Sequence, residues 1–111
     1  MRGEHLGELE ELVLLTVGSL TDQAYAVAIL EEIKSNTKRN MDVTAVHSVL
    51  RRLEKKGYVS SEMGGASKER GGRRKRMFTL TKVGRKVLDE TMDLRYSLYR
   101  KLPKLTFAGL S

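Results

Sequence analysis

The sequence predicts a mainly α-helical chain carrying one small β-hairpin, and three observations lead to that class. Apolar residues recur at three- and four-residue spacing in four stretches. Two short, partly alternating stretches enclose a glycine-rich segment. Cations crowd into that segment and into the helical stretch before it. At 111 residues, with 40% hydrophobic and 32% charged residues, the chain suits one folded domain with a core of limited size.

The first element is "HLGELEELVLLTVGSL", where Leu6, Leu9, Val13, Val17 and Leu20 form a helical stripe. Leu12, Leu14 and Leu15 widen it until the second half is apolar nearly all round, so this helix needs cover on more than one side. "AYAVAILEEIKSNT" reads as a second helix, with Ala26, Val27, Leu30 and Ile33 inward and Asp22 as its N-cap. "MDVTAVHSVLRRLEKKG" reads as a third, capped by Asp42 and closed by a left-handed Gly57. Val43, Val46, Leu50 and Leu53 make its inner stripe. Its opposite face holds Thr44, Ala45, Ser48, Arg51, Arg52 and Lys55, with no acid among them.

"YVSSEM" (58–63) and "RMFTL" (76–80) are the expected strands of the hairpin. Either Phe78 and Leu80 or Met77 and Thr79 face inward; the pattern leaves both registers open. From Thr81 onward, Val83, Val87, Thr91, Leu94, Leu98 and Leu102 mark a last helix, which Pro103, the only proline, ends. At 1.5 Å per residue, 81–102 would run roughly 33 Å. So small a core cannot cover that length, and part of the stripe is expected to pack on a second copy of the chain.

Charge is polarised along the chain. Residues 1–33 carry one basic residue against seven acidic ones, and residues 64–86 carry nine basic residues against Glu69 alone. One part of the molecule is thus expected to meet a polyanion and another to be kept away from it. Other classes fall away. There is no cysteine for disulfides or thiolate metal sites, and "HLGE" (5–8) lacks the further ligands that a metal needs, so neither metal nor cofactor is expected. Two histidines far apart and no phosphate-cradling glycine loop after a strand leave no catalytic constellation, so the chain is not expected to be an enzyme. Scarce aromatics, with no Trp, argue against stacking on single-stranded nucleic acid. No apolar run approaches the roughly 18 residues of a membrane span, and the N-terminus has no signal-peptide pattern. A cytoplasmic chain without a membrane partner is expected.

Helix, helix, helix, hairpin, helix, with cations on the third helix and the hairpin loop, is the order of a winged helix-turn-helix. It divides as 1–80 for that unit, 81–102 for a C-terminal dimerisation helix packed on it, and 103–111 for a tail. The third helix would lie in a DNA major groove, with Thr44, Ala45, Ser48 and Arg51 near base edges and Arg52 and Lys55 on phosphates. Arg73, Arg74, Lys75 and Arg76 would grip phosphate or enter the minor groove, supported by Lys68 and Arg70. The alternative use of the same basic face is RNA or an acidic protein partner.

The chain resembles the PadR family of bacterial transcriptional regulators, in the short subfamily with one C-terminal helix. The resemblance rests on "LGELEELVLL" (6–15), "AYAVAILEEI" (24–33), "VHSVLRRLEKKGYV" (46–59) and "ERGGRRKRMFTLTKVGRKVL" (69–88), including Thr81 and Gly84 of the TxxG pattern. It implies a homodimeric repressor of double-stranded operator DNA, with the first and last helices building the dimer through Leu6, Leu9, Val13, Val87, Leu88, Thr91, Leu94, Leu98, Tyr99 and Leu102. It also implies a small hydrophobic or aromatic effector in some members, for which Met92, Tyr96 and Tyr99 are the pocket candidates; interface packing is the other reading of these aromatics. Tyr25 is a phosphate contact by resemblance, or core. His47 stands where members commonly have Tyr, and Ala24 where they commonly have Gly; His47 either bonds a phosphate or is a boundary residue satisfied locally.

Overall fold

The computed structural model describes residues 6–64 and 75–104. The elements are α1 (Glu8–Leu20), a 3-10 turn (Thr21–Gln23), α2 (Ala26–Thr37), α3 (Val43–Lys55), β1 (Val59–Met63), β2 (Arg76–Leu80) and α4 (Lys82–Tyr99). Val13, Leu14 and Val17 of α1, Ile29 and Ile33 of α2, and Val46, Val49, Leu50 and Leu53 of α3 meet in one core. Tyr58, Val59 and Phe78 close that core from the hairpin side, and Val87 and Leu88 from α4.

Local chemistry explains most boundaries. Glu10 folds back to accept the Gly7 N–H at 2.9 Å, satisfying one orphan donor of α1. Asp42 caps α3 as expected, accepting the Ala45 N–H at 3.0 Å, an arrangement generally worth about 1 kcal/mol. Gly57 takes φ = 83° after α3, which only glycine adopts without strain.

The second helix departs from expectation. Asp22 lies in the 3-10 turn and does not cap it; α2 starts at Ala26, with Tyr25 extended in the cap position. The buried face is Ala26, Ile29 and Ile33, whereas Val27 is 50% exposed. The cause is tertiary: the Phe78 N–H bonds the Ala24 carbonyl at 2.9 Å, and Ala24 is buried with a non-helical backbone at φ −88° and ψ 75°. The helix therefore begins only after it.

The strands pair antiparallel, Val59 opposite Leu80, Ser61 opposite Phe78 and Met63 opposite Arg76. Phe78 is buried, Leu80 packs against the core and Thr79 is exposed, so the inward register is that of Phe78 and Leu80. Thr81 then joins hairpin to helix. Its N–H bonds the Tyr58 carbonyl at 3.0 Å, its hydroxyl donates to the Gly57 carbonyl at 2.7 Å, and its Oγ1 accepts the Gly84 N–H at 2.9 Å.

α4 is shorter than the expected 81–102. After Tyr99 the chain tightens into i→i+3 bonds, Lys101 to Leu98 and Leu102 to Tyr99, before Pro103 is reached. Its first half is anchored through Gly84, Val87 and Leu88. In the second half Leu94 and Leu98 remain 60% and 57% exposed. Val13, an expected dimer residue, is 0% exposed and belongs to the protomer's own core; Leu6, Val87 and Leu88 are likewise almost covered within one chain. The wide apolar stripe of α1 is filled on that side by its own domain. Among the described residues, no helix is long and apolar enough to cross a membrane.

Candidate nucleic-acid interface

The amphipathic α3 buries Val46, Val49, Leu50 and Leu53 and turns its other side outward. Thr44, His47, Arg51 and Lys55 are exposed, and Ala45 and Ser48 are half-buried on the same side. Ser48, Arg51, Arg52, Glu54 and Lys55 line one open concavity along it. The predicted base-reading residues are thereby brought together on one outward surface. Lys68, Arg70, Arg73 and Arg74 lie outside the described residues.

Lys75 and Tyr25, far apart in sequence, meet: the Lys75 ammonium sits 4.2 Å from the centre of the Tyr25 ring, a cation–π contact. Half-buried Tyr25 thus has its ring beside the residue that enters β2 at the loop end of the hairpin. It also precedes the first turn of α2, whose N-terminus has no side-chain cap. A cation, a phenol and uncapped backbone N–H groups converge there, a combination suited to an anion.

Arg76 is engaged differently. Its Nη1 donates to Ser61 Oγ at 3.0 Å, and Ser61 Oγ donates to Glu54 Oε2 at 2.7 Å. This chain of polar contacts ties the middle and loop end of the hairpin to the last turn of α3. Arg52, expected on phosphate, places its Nε 3.3 Å from Glu10 Oε2, and Lys56 Nζ lies 3.0 Å from Glu10 Oε1. Glu10 itself is only 6% exposed. Burial pushes its carboxyl pKa up, but the Gly7 N–H, the Lys56 and Arg52 hydrogen bonds and the Lys56 charge outweigh that and hold it below the ordinary value.

Sequence reasoning missed Glu10, Glu54 and Ser61. A Gly7-x-x-Glu10 spacing at a helix start was a readable sign of the first. The other two carry no local signal, since their roles depend on where the hairpin settles on α3. The acidic first third also has a more specific use than standing clear of a polyanion. Glu8 pairs with Arg39 at 2.9 Å, Glu10 with Arg52 and Lys56, and Glu11 with Arg95 of α4 at 2.9 Å. A cavity of about 320 Å³ lies between the start of α1 and α4, lined by Leu6, Val87, Thr91, Leu94 and Leu98 with Glu90 and Arg95. Met92, Tyr96 and Tyr99 are not in its lining; Tyr96 instead stacks near the Arg100 guanidinium, 5.0 Å away.

Three packed helices, a two-stranded wing and a C-terminal helix define a winged helix-turn-helix protein. The chain belongs to the transcriptional regulator PadR-like family, whose model matches residues 14–90. That family consists of transcriptional regulators and not of enzymes. A crystal structure from Streptococcus mutans UA159 is similar at 28% identity, over 83% of this chain and 78% of that one, with a TM-score of 0.66. A PadR-like transcription factor from Bacteroides fragilis shares 22% identity over 83% of this chain and 84% of its own, with a TM-score of 0.70. A PadR family transcription regulator from Clostridium difficile R20291 shares 17% over 85% and 93%, also with a TM-score of 0.70. The last two likenesses bear on the fold alone. No curated protein matches the chain significantly.

Proposed function

We propose that this regulator is a cytoplasmic, homodimeric repressor that binds double-stranded operator DNA sequence-specifically. The observation that carries the reading is the outward side of α3, where Ser48, Arg51 and Lys55 line one concavity and Thr44 is exposed. Short polar groups at the N-terminal end of that helix suit base edges, and the cations further along suit phosphates. Ala45, half-buried on the same side, and exposed His47 would border that contact, His47 on a phosphate. Tyr25, Lys75 and the uncapped start of α2 would hold a second phosphate. The basic run of Lys68, Arg70, Arg73 and Arg74 adds sequence-independent grip.

The dimer reading rests on the exposed Leu94, Leu98, Tyr99 and Leu102. An apolar stripe of that size on a free helix calls for a partner surface, and a second α4 supplies the matching one. A small hydrophobic or aromatic effector would enter the groove beside Leu6, Val87, Leu94 and Leu98. Footprinting of bound sites tests the reading: protected half-sites with dyad symmetry, centred about 10 base pairs or a multiple apart, are expected. Protection without symmetry, or equal binding to double-stranded RNA, would overturn it.

A further inference from the structure

One buried acid takes no part in the function proposed above. Glu10 of α1 approaches the C-terminal turn of α3 from behind and binds two of its cations at once. Its carboxylate is pinned by the Gly7 N–H, so it does not swing away with its own side chain. Arg52 and Lys56 meanwhile keep 53% and 32% of their side chains exposed. Arg52 also lines the concavity on the outward side of α3, and Lys56 follows at the helix's C-cap, so neither charged end lies deep within the protein.

We propose that Glu10 is an internal stand-in for phosphate, a specificity-determining residue that withholds Arg52 and Lys56 from the DNA backbone. The inference rests on the DNA-binding reading above. Its physical basis is competition. Each cation that neutralises a backbone phosphate adds affinity for every sequence alike, because counterions are released whatever the bases are. Discrimination depends on the difference between specific and random binding, so removing blind contacts from the recognition helix sharpens it. A preformed carboxylate partner does so without removing the two cations, whose aliphatic stems still cover the join between α1 and α3. Arg51 and Lys55, for which no such acid partner stands nearby among the described ion pairs, remain the outward cations of the helix.

The test measures affinity of the full chain for a footprinted site and for random duplex across a salt series. Glu10→Gln is expected to bind random duplex about three- to tenfold more tightly at low salt. Its log–log salt slope should steepen by about one to two, because each added phosphate contact contributes about 0.9. The ratio of specific to random affinity should fall. Arg52→Gln and Lys56→Gln, each alone, should leave the wild-type slope unchanged, and the triple variant should return to it. An acid that merely braces the fold would lower the melting temperature and both affinities while leaving the slopes alone. An unchanged slope in Glu10→Gln overturns the inference. So does a fall of about one in slope for each of the single cation variants, a comparison that stands even if Glu10→Gln does not fold. Failure of the wild type to bind any duplex overturns the DNA reading itself and this inference with it; normal wild-type binding confines a failure to the inference.

Discussion

Gly84 occupies the tightest position among the described glycines. A Cβ there would stand 2.1 Å from the Tyr58 carbonyl oxygen and 2.9 Å from its carbon, and both are backbone atoms that cannot rotate aside. The first turn of α4 lies that close because Thr81 bonds the Gly57 and Tyr58 carbonyls and caps the helix with one side chain. Gly84→Ala is therefore expected to force α4 away from the hairpin and cost about 2–3 kcal/mol, measured by urea unfolding. Gly7→Ala, whose Cβ would meet nothing nearer than Glu10 Oε1 at 3.8 Å, is the matching control. The spacing of Thr81 and Gly84 was visible in the sequence; the carbonyl that makes glycine necessary was not, since Tyr58 is brought there only by tertiary packing. Asp42 and Gly57 were legible because caps act within three or four residues of themselves.

At the scale of elements, the hairpin strands and α3 followed from their own patterns, whereas α2 and α4 depended on neighbours. Ala26 and Ile33 were legible as inward and Leu30 packs partly against the core, but Ile29 competes with Val27 for the place between them. The bond from Phe78 to Ala24 decides between them, and a link across more than fifty residues leaves no local trace. α4 divides in the middle. Up to Leu88 it is anchored to the domain through Gly84, Val87 and Leu88, although Val83 of the expected stripe is exposed, and beyond Thr91 its leucines lie open. Burying a leucine fully stabilises by about 1.5–3 kcal/mol, so two such positions in each of two chains amount to a substantial part of a dimer's association energy. Leu94→Glu with Leu98→Glu is expected to give a folded monomer by analytical ultracentrifugation, because neither side chain supports the protomer core. A variant that stays dimeric would place the interface elsewhere on the chain.

Across the whole molecule, the charges sort into three groups with different tasks. Glu8, Glu10 and Glu11 consume cations from the α2–α3 connection, α3 and α4, joining α1 to each of its surroundings. Glu54, Ser61 and Arg76 fix the wing against the last turn of α3. Among the described residues, the cations of α3 outside these pairs, Arg51 and Lys55, face outward, as does Lys75 beside Tyr25. The first group makes net charge a poor guide to grip on DNA, because paired cations release no counterions. The second links the wing to α3, so on the proposed DNA reading phosphate contacts on the wing would help orient α3. Two kinds of substitution should therefore separate cleanly. Arg73→Ala with Arg74→Ala should weaken specific and random duplex alike and lower the salt slope by about two. Ser48→Ala or Arg51→Ala should instead reduce discrimination at particular base pairs, by about 1–3 kcal/mol each for Arg51 where it bonds a guanine. Fluorescence anisotropy on specific and scrambled duplexes, each titrated at several salt concentrations, reads both effects from one set of curves. Equal losses from both pairs of variants on both duplexes would mean that wing and helix share a single electrostatic role.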